Sequence, residues 1–462
     1  MKPQRYVRRS EIPAPAEDVF NWHAREGAIK RLSPPWAPLK IISKTPGVDT
    51  GTQVKLKIKT GPVFSSWDAV HTACEPGRMF RDTQVKGPFR AWNHTHRFIP
   101  SGSHSIMEDS VEFAMPFPLD RWHVINTFIR NDLDRIFRYR HIVTRRDLEL
   151  HSSGKIPKPL KIAISGASGL IGAHLAPFLT TGGHQVFNLV RRQPVSGKQE
   201  IFWDPENGVL SGKDLEGFDV VIHLAGENIG EVRWTEDIKK RLTRSRVKGT
   251  RLLSETLAGL ENPPSVFLCA SAIGYYGDTG GRTADETDGP GDQFISALCQ
   301  AWEEACEPAA RSGIRTVNMR IGVVLSPEGG ALSKVLPLFK AGLCATMGSG
   351  HQHVSWISLE DTLYAIHHLM ADSRLQGPVN LVSPFPVTNR EYTLKLAGLL
   401  KRPALFRIPE SLIRTRFGQM GEEILLSGAC ISPSRLLQSG YSFLHPDITS
   451  ALTEVLGINH HG

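Results

Sequence analysis

Cysteine is scarce in this chain. The 462 residues include six, Cys74, Cys269, Cys299, Cys306, Cys344 and Cys430, with no Cys-x-x-Cys pair. That excludes a disulfide framework and a thiolate zinc site as organising features. Cys299 and Cys306, seven apart, read as small core residues on one helix face. Long apolar runs are also missing, and none approaches the roughly 20 residues of a membrane-spanning helix. The opening Met-Lys-Pro-Gln-Arg-Tyr-Val-Arg-Arg lacks the apolar core of a signal peptide, so a cytoplasmic location is expected. The eighteen histidines contain no His-Glu-x-x-His. His94/His96 and His367/His368 read as strand and helix surface residues, and no metal site is expected.

Charge is unevenly placed. Residues 1–150 hold 24 lysines and arginines against 16 acidic residues, and the remainder balances, so the net +8 lies in the first third. A solvated basic face accounts for this, as would an acidic ligand, a membrane surface or nucleic acid. No nucleic-acid motif supports the last. The length calls for two or three domains.

The most informative stretch is Lys161-Ile-Ala-Ile-Ser-Gly-Ala-Ser-Gly-Leu-Ile-Gly172. Lys161–Ser165 reads as a short buried strand. Gly166, Gly169 and Gly172 follow at three-residue spacing, and helical apolar periodicity runs over Leu170–Leu179. A strand, a glycine turn and a helix make half of a βαβ unit, whose helix N-terminus offers N–H groups and a positive dipole end to a pyrophosphate. Gly166 would allow the turn, Gly169 the approach of phosphate, and Gly172 the packing of helix on strand. Ser168, Leu170 and Ile171 complete the expected cradle.

Elements alternate beyond it. His184–Val190 is a second strand ending in Arg191-Arg192, where an acidic residue would hold the ribose hydroxyls of NAD. Two arginines without a carboxylate suit a 2′-phosphate instead, so NADP(H) is the expected cofactor. The same pair also fits two surface arginines at a strand end. Phe218–Gly226 is a third strand, with Leu224, Ala225 and Gly226 passing beside the nucleotide. Ser265–Ser271 is a strand, Gly277–Asp292 a mobile lip, Phe294–Arg311 a helix, Thr316–Arg320 a strand and Ile357–Met370 a helix. Asp285, Glu286 and Asp288 read as solvated loop charges. The class is α/β, a Rossmann-type doubly wound parallel sheet.

Residues 1–150 read differently: a strand at Val7–Ile12, a helix at Val19–Ala28, alternating strands from Leu39 to Ala114, and a long helix at Val124–Val143. Val54, Leu56 and Ile58 alternate with Lys55, Lys57 and Lys59, giving a half-buried strand with a basic outer face. This order, entered by Ile-Pro-Ala-Pro-Ala-Glu-Asp-Val-Phe, resembles the START-like (SRPBCC) superfamily. The resemblance implies an α+β helix-grip domain with an apolar cavity between sheet and last helix. Trp22, Trp36, Phe64, Trp67, Phe89, Trp92, Phe98 and Phe128 could line such a cavity or simply form the core. Residues 151–159 read as a linker.

The glycine spacing resembles the turn of extended short-chain dehydrogenase/reductases. Further runs are similar to one atypical group of these, the nucleoside-diphosphate-sugar epimerase-like proteins: His223-Leu-Ala-Gly-Glu227, Arg233-Trp-Thr, Ser245-Arg-Val, Ser271-Ala-Ile-Gly-Tyr-Tyr-Gly277, Trp302-Glu303, Arg320–Leu325 and Trp356–Asp361. Arg402–Leu456 resembles that group's small C-terminal domain. The resemblance implies an NADP-binding domain over 160–397, a family-specific domain over 398–458, and Arg320 among the cofactor-binding residues. It places Ser271 as the substrate-side hydroxyl.

The chain departs from the general pattern of such enzymes. None of its seven tyrosines has a lysine four residues later, so the usual acid/base pair is missing. Aligning Glu303 with the family glutamate puts Ile295 and Cys299 in that pair's place. Tyr275 or Tyr276 could replace it as proton donor, or the two could anchor the loop. Ser358 stands where histidine is more usual, and reads as structural. Three functions remain open: an NADP(H)-dependent oxidoreductase or epimerase acting on a small molecule, an NADP(H) sensor without chemistry, and a carrier bringing an apolar ligand held by residues 1–150.

Overall fold

The computed structural model describes residues 3–60, 63–117, 123–230 and 233–458. The chain divides into two compact units. The first holds residues up to Pro159 together with Pro177–His184; the second holds Leu160–Ala176 and Gln185–Ile458.

The first unit is a seven-stranded antiparallel sheet and a long helix. The strands run Gln4–Ile12, His104–Ala114, Ala91–Ser101, Met79–Lys86, Val63–Glu75, Gln53–Thr60 and Leu39–Lys44 across the sheet. Alternation sends Trp92 and Phe98, or Met107, Val111 and Phe113, to one buried face. Lys55 and Lys57 lie exposed as read, while the side chain of Lys59 falls outside the described residues. The last helix runs His123–His151, eight residues beyond the expected end. The first is split: Ala16–Ala24 ends, and Gly27 at φ +93° turns the chain into Ala28–Arg31.

Two apolar clusters fill the grip, one around Trp22, Phe98 and Met107, the other around Trp92, Phe113 and Phe137. Phe64 and Phe128 take no part, being exposed. Polar groups share this interior. Arg31 grips Asp147 through Nε and Nη2, both at 2.8 Å and both side chains fully buried. His94 and His96 are also buried, which corrects their reading as surface residues. Their two-residue spacing does put both on one face of the strand, but the face is the inner one.

The second unit is built on an eight-stranded sheet in the order Val209–Leu210, Glu200–Asp204, Gln185–Val190, Lys161–Ser165, Val220–His223, Val266–Ala272, Arg315–Ile321, Gly377–Leu381. Every pairing is parallel except the Val209–Leu210 edge. Chain order reverses direction across the sheet between Lys161–Ser165 and Val220–His223, which makes a topological switch point where ligands bind in such sheets. Ile162, Ala163, Ile164, Val221 and Ile222 have no exposed surface, as expected of strands covered on both faces.

Several expected elements change. The helix expected over Phe294–Arg311 breaks into Phe294–Glu304 and Glu307–Arg311, because Pro308 has no N–H for the Glu304 carbonyl. Cys306 lies in that break, off the helix that carries Cys299. Trp356–Ser358 is a strand, and the late helix spans Leu359–Ala371. Ser358 caps it, accepting from the Asp361 N–H at 2.9 Å and donating to its carboxylate at 2.7 Å, a structural role as read. His367 and His368 are buried on that helix rather than at the surface. The C-terminal stretch is woven in: Phe406–Ile408 pairs with Ala345–Met347, and Ile448, Leu452 and Val455 pack with Trp356 and Leu396.

Candidate functional site

The glycine turn follows strand Lys161–Ser165 and leads into helix Gly172–Thr181. Gly166 has φ +74°, and a Cβ there would lie 2.7 Å from the backbone of Leu224 and Ala225. At Gly172 a Cβ would lie 2.4 Å from the Gly166 carbonyl, so this glycine packs on the turn rather than on the strand, as had been expected. Gly169 is different: its Cβ would meet only the Gly166 oxygen, at 3.3 Å, and the residue is exposed. The fold therefore requires Gly166 and Gly172 for itself, while Gly169 leaves room for something else. The N–H groups of Ser168, Leu170 and Ile171 have no backbone acceptor among the described residues. Open N–H groups at the positive end of a helix fit a pyrophosphate.

Neighbouring strand ends bring the other cradle residues alongside. Leu224 donates its N–H to the Ser165 carbonyl at 3.1 Å, so Leu224, Ala225 and Gly226 border the turn. Arg191 and Arg192 leave the strand on its other side. Arg192 is already engaged, its Nη1 and Nη2 reaching Glu200 at 2.8 and 2.5 Å. This corrects the reading of two arginines without a carboxylate, since Glu200 comes from a strand the sequence did not reveal. Hydrogen bonds from Arg192 and from the Val195 N–H hold the Glu200 pKa down to about 2. Arg191 is exposed, and it is the arginine left for an anionic ligand.

The second group of residues forms one network. Ser271 and Arg320 are register partners on adjacent strands. Ser271 Oγ donates to Glu303 Oε1 at 2.6 Å. Arg320 donates to the same carboxylate through Nε and Nη2, each at 2.9 Å. Its Nη1 donates to the Tyr276 hydroxyl at 2.9 Å, which in turn donates to Asn380 Oδ1 at 2.8 Å. Tyr275 lays its ring over the guanidinium, 3.4 Å from carbon to ring centre. Burial works against the Arg320 charge, but the Glu303 carboxylate outweighs it and raises the pKa.

Arg320, which the resemblance put among the cofactor-binding residues, is 3 % exposed and spends Nε, Nη1 and Nη2 on Glu303 and Tyr276. Tyr276 is buried, its hydroxyl is held between Arg320 Nη1 and Asn380 Oδ1, and burial pushes its pKa up to about 12, an arrangement that suits a loop anchor. Tyr275 is half-buried, and no hydrogen bond of its hydroxyl occurs among the described residues. In the sequence Glu303 serves only as an alignment mark. Its place in the Trp302-Glu303 run was the available signal, but nothing in the sequence showed that it joins Ser271 to Arg320.

The same helix face is apolar on the N-terminal side of Glu303. Ile295 and Cys299 are buried with Trp234, Leu242, Leu298 and Met420, and Tyr275 packs at the edge of this cluster. Burial, with the Glu303 charge, pushes the Cys299 thiol up to about 12. The stretch Gly277–Asp292 is tied down rather than a loose lip: Thr283–Ala284 pairs with Cys430–Ile431. Glu286, read as solvated, is buried and accepts from the Asn380 N–H at 2.9 Å, and burial raises its pKa.

A parallel sheet with a glycine turn at its switch point defines a dinucleotide-fold protein. Residues 162–381 match the model of the NAD dependent epimerase/dehydratase family. Residues 408–455 match a domain of unknown function (DUF1731), and residues 12–136 match the polyketide cyclase/dehydrase and lipid transport family. An epimerase family protein of Mycobacterium bovis, Mb2239, is 43 % identical over 291 residues, covering 63 % of this chain and 96 % of the relative. Human epimerase family protein SDR39U1 is 33 % identical over 300 residues, covering 64 % of this chain and all of the relative. The chain belongs to the epimerase family, with a helix-grip domain at its N-terminal end. Among solved structures, a nucleoside-diphosphate sugar epimerase from Corynebacterium glutamicum aligns with TM-score 0.81 at 31 % identity, covering 98 % of this chain and 90 % of that one. Human SDR39U1 (isoform 2), crystallised with NADPH, aligns with TM-score 0.60 at 31 % identity, covering 65 % and 100 %. No helix among the described residues is long and apolar enough to cross a membrane.

Proposed function

We propose that this chain is an NADP(H)-binding, epimerase-like oxidoreductase acting on a carbonyl-containing small molecule. In this reading residues 160–397 form the cofactor domain, 398–458 the small family domain, and 1–150, joined through 151–159, an apolar-ligand module. The observation that carries it is the turn Gly166–Ile171, which leaves N–H groups and the space at Gly169 open at the switch point. The NADPH in the crystals of human SDR39U1 supports the same cofactor. Ser168–Ile171 and Gly172 would hold the pyrophosphate, Leu224–Gly226 would border the nucleotide, and Arg191 would pair with the 2′-phosphate.

Bound NADP(H) supplies or accepts a hydride at its nicotinamide. The chain then has to orient a carbonyl and move one proton. With its hydrogen committed to Glu303, Ser271 Oγ can serve the substrate only as an acceptor, toward the hydroxyl of its reduced form. Tyr275 is the proton donor to the carbonyl oxygen, its ring fixed over Arg320. A second reading, an NADP(H) sensor without turnover, is favoured by the buried apolar face of Ile295 and Cys299.

Calorimetry with NADPH and NADH tests the cofactor. Tighter NADPH binding is expected, with Arg191→Ala reducing that preference about tenfold or more. Equal affinities would defeat the assignment. Transfer of deuterium from 4-deuterated NADPH to a carbonyl panel separates the two readings, since the sensor binds NADPH but transfers none.

A further inference from the structure

The polar interior of the first unit holds a separate constellation. His94 and His96 project from one face of Ala91–Ser101, and Asp82 is the register partner of His94 on the neighbouring strand. Asp82 Oδ2 lies 3.3 Å from His94 Nδ1 and 3.9 Å from His96 Nε2. One ligand atom from each of the three can be chosen so that all lie within 4.8 Å of one another. On the far side of the rings Asp109 Oδ1 is 2.9 Å from His94 Nε2 and 2.7 Å from His96 Nδ1, although the latter N–H points off the line. His141 Nε2 lies 2.7 Å from the other Asp109 oxygen.

Both carboxylates only accept hydrogen bonds, and Asp109 is the nearer of the two to both rings, so in the neutral imidazoles the hydrogens belong on the nitrogens facing Asp109. The lone pairs of His94 Nδ1 and His96 Nε2 then face Asp82, itself an acceptor. Three electron-pair donors converge on one point, and a cation completes them. We propose that Asp82, His94 and His96 bind one divalent transition-metal ion. Metal bonds of about 2.0–2.2 Å to imidazole nitrogen and carboxylate oxygen place such ligands about 3–3.5 Å apart, so His94 and Asp82 already stand at a ligand spacing of 3.3 Å and His96, 3.9 Å from Asp82, has to move inward. Asp109 would be the carboxylate that orients both rings from behind. Two nitrogens and one oxygen suit zinc, ferrous iron or cobalt rather than magnesium or calcium. Side-chain exposures of 17 %, 5 % and 9 % make Asp82 the side of entry. Three protein ligands leave a coordination position for water or an oxygen-donor ligand. His23 stays a neighbour, with its Nδ1 bonded to the Val19 carbonyl at 2.7 Å.

The test uses the full-length chain, stripped with chelator and titrated with Zn²⁺ and with Co²⁺, whose visible absorption reports its ligands. One equivalent per chain is expected. Asp82→Asn and His96→Gln should each weaken Zn²⁺ binding at least 100-fold, and Asp109→Asn about 10- to 100-fold. Circular dichroism checks that the variants fold, and the wild-type titration decides the matter even where one does not. No stoichiometric uptake by the wild-type chain would overturn the proposal, leaving a proton shared between His94 and the two carboxylates. Unchanged affinity in folded Asp82→Asn would also overturn it, by putting the ion elsewhere.

Discussion

Arg320 meets Glu303 side-on, with Nε and Nη2 each 2.9 Å from a carboxylate oxygen. The side chains are 4 % and 12 % exposed, so both charges have left water, and each depends on the other. Truncating one partner should therefore be severe. Glu303→Ala is expected to lower unfolding stability by about 3–5 kcal/mol, because it strands the Arg320 charge. A double variant, Glu303→Leu with Arg320→Met, should recover much of that loss. Denaturant unfolding followed by circular dichroism measures both, and a double variant no better than the single would show that the pair is not the source.

Gly166 and Gly169 should behave in opposite ways. Alanine at Gly166 faces a positive φ and backbone atoms at 2.7 Å, so Gly166→Ala should cost several kcal/mol or prevent folding. Gly169→Ala meets only one oxygen at 3.3 Å and should change stability by less than about 1 kcal/mol. If the open space there receives the cofactor's phosphates, the same substitution should still weaken NADPH binding about tenfold or more. Thermal unfolding and calorimetry on the two variants give the comparison. A Gly169→Ala chain that binds NADPH normally would move the cofactor away from this turn.

Ser271 and Tyr275 divide differently under the two functional readings. If Tyr275 donates the proton, Tyr275→Phe should lower kcat by about 10²- to 10⁴-fold with little change in NADPH affinity. Ser271→Ala removes a hydroxyl that also satisfies Glu303, so it should raise KM and lower stability by about 1 kcal/mol. Steady-state kinetics on whichever carbonyl accepts deuterium check both. Unchanged kcat in Tyr275→Phe would remove it from the mechanism.

Backbone signals were legible and side-chain partnerships were not. The run Lys161–Gly172 announced strand, turn and helix, because a continuous apolar strand and spaced glycines are local properties. Glu200–Asp204 escaped notice: it is a short strand near the sheet edge, outside any strong apolar run. Missing it hid the carboxylate that claims Arg192. The Ser271–Glu303–Arg320 network joins residues 17 and 32 positions apart across a helix and two strands, a contact that no local pattern encodes. His94 and His96 show the same limit. Spacing of two assigns them one face, but only the fold decides that the face is buried.

His223 offers a pH-dependent reading of the cofactor sheet. It is fully buried at the end of Val220–His223, with Nδ1 2.5 Å from Ser165 Oγ and Nε2 without a hydrogen-bond partner among the described residues. Burial lowers its pKa from 6.5 to about 4. Between those values the unfolded chain takes up a proton that the folded chain refuses, so stability rises with pH across that window. The contribution is complete above about pH 6.5 and is lost as pH falls toward 4, amounting to about 3 kcal/mol. His223→Gln keeps a polar partner for Ser165 but cannot titrate, and it should lose correspondingly less stability between pH 7 and pH 4. Comparing variant with wild type cancels the other buried histidines. Parallel stability profiles would mean that His223 is not held neutral by the fold.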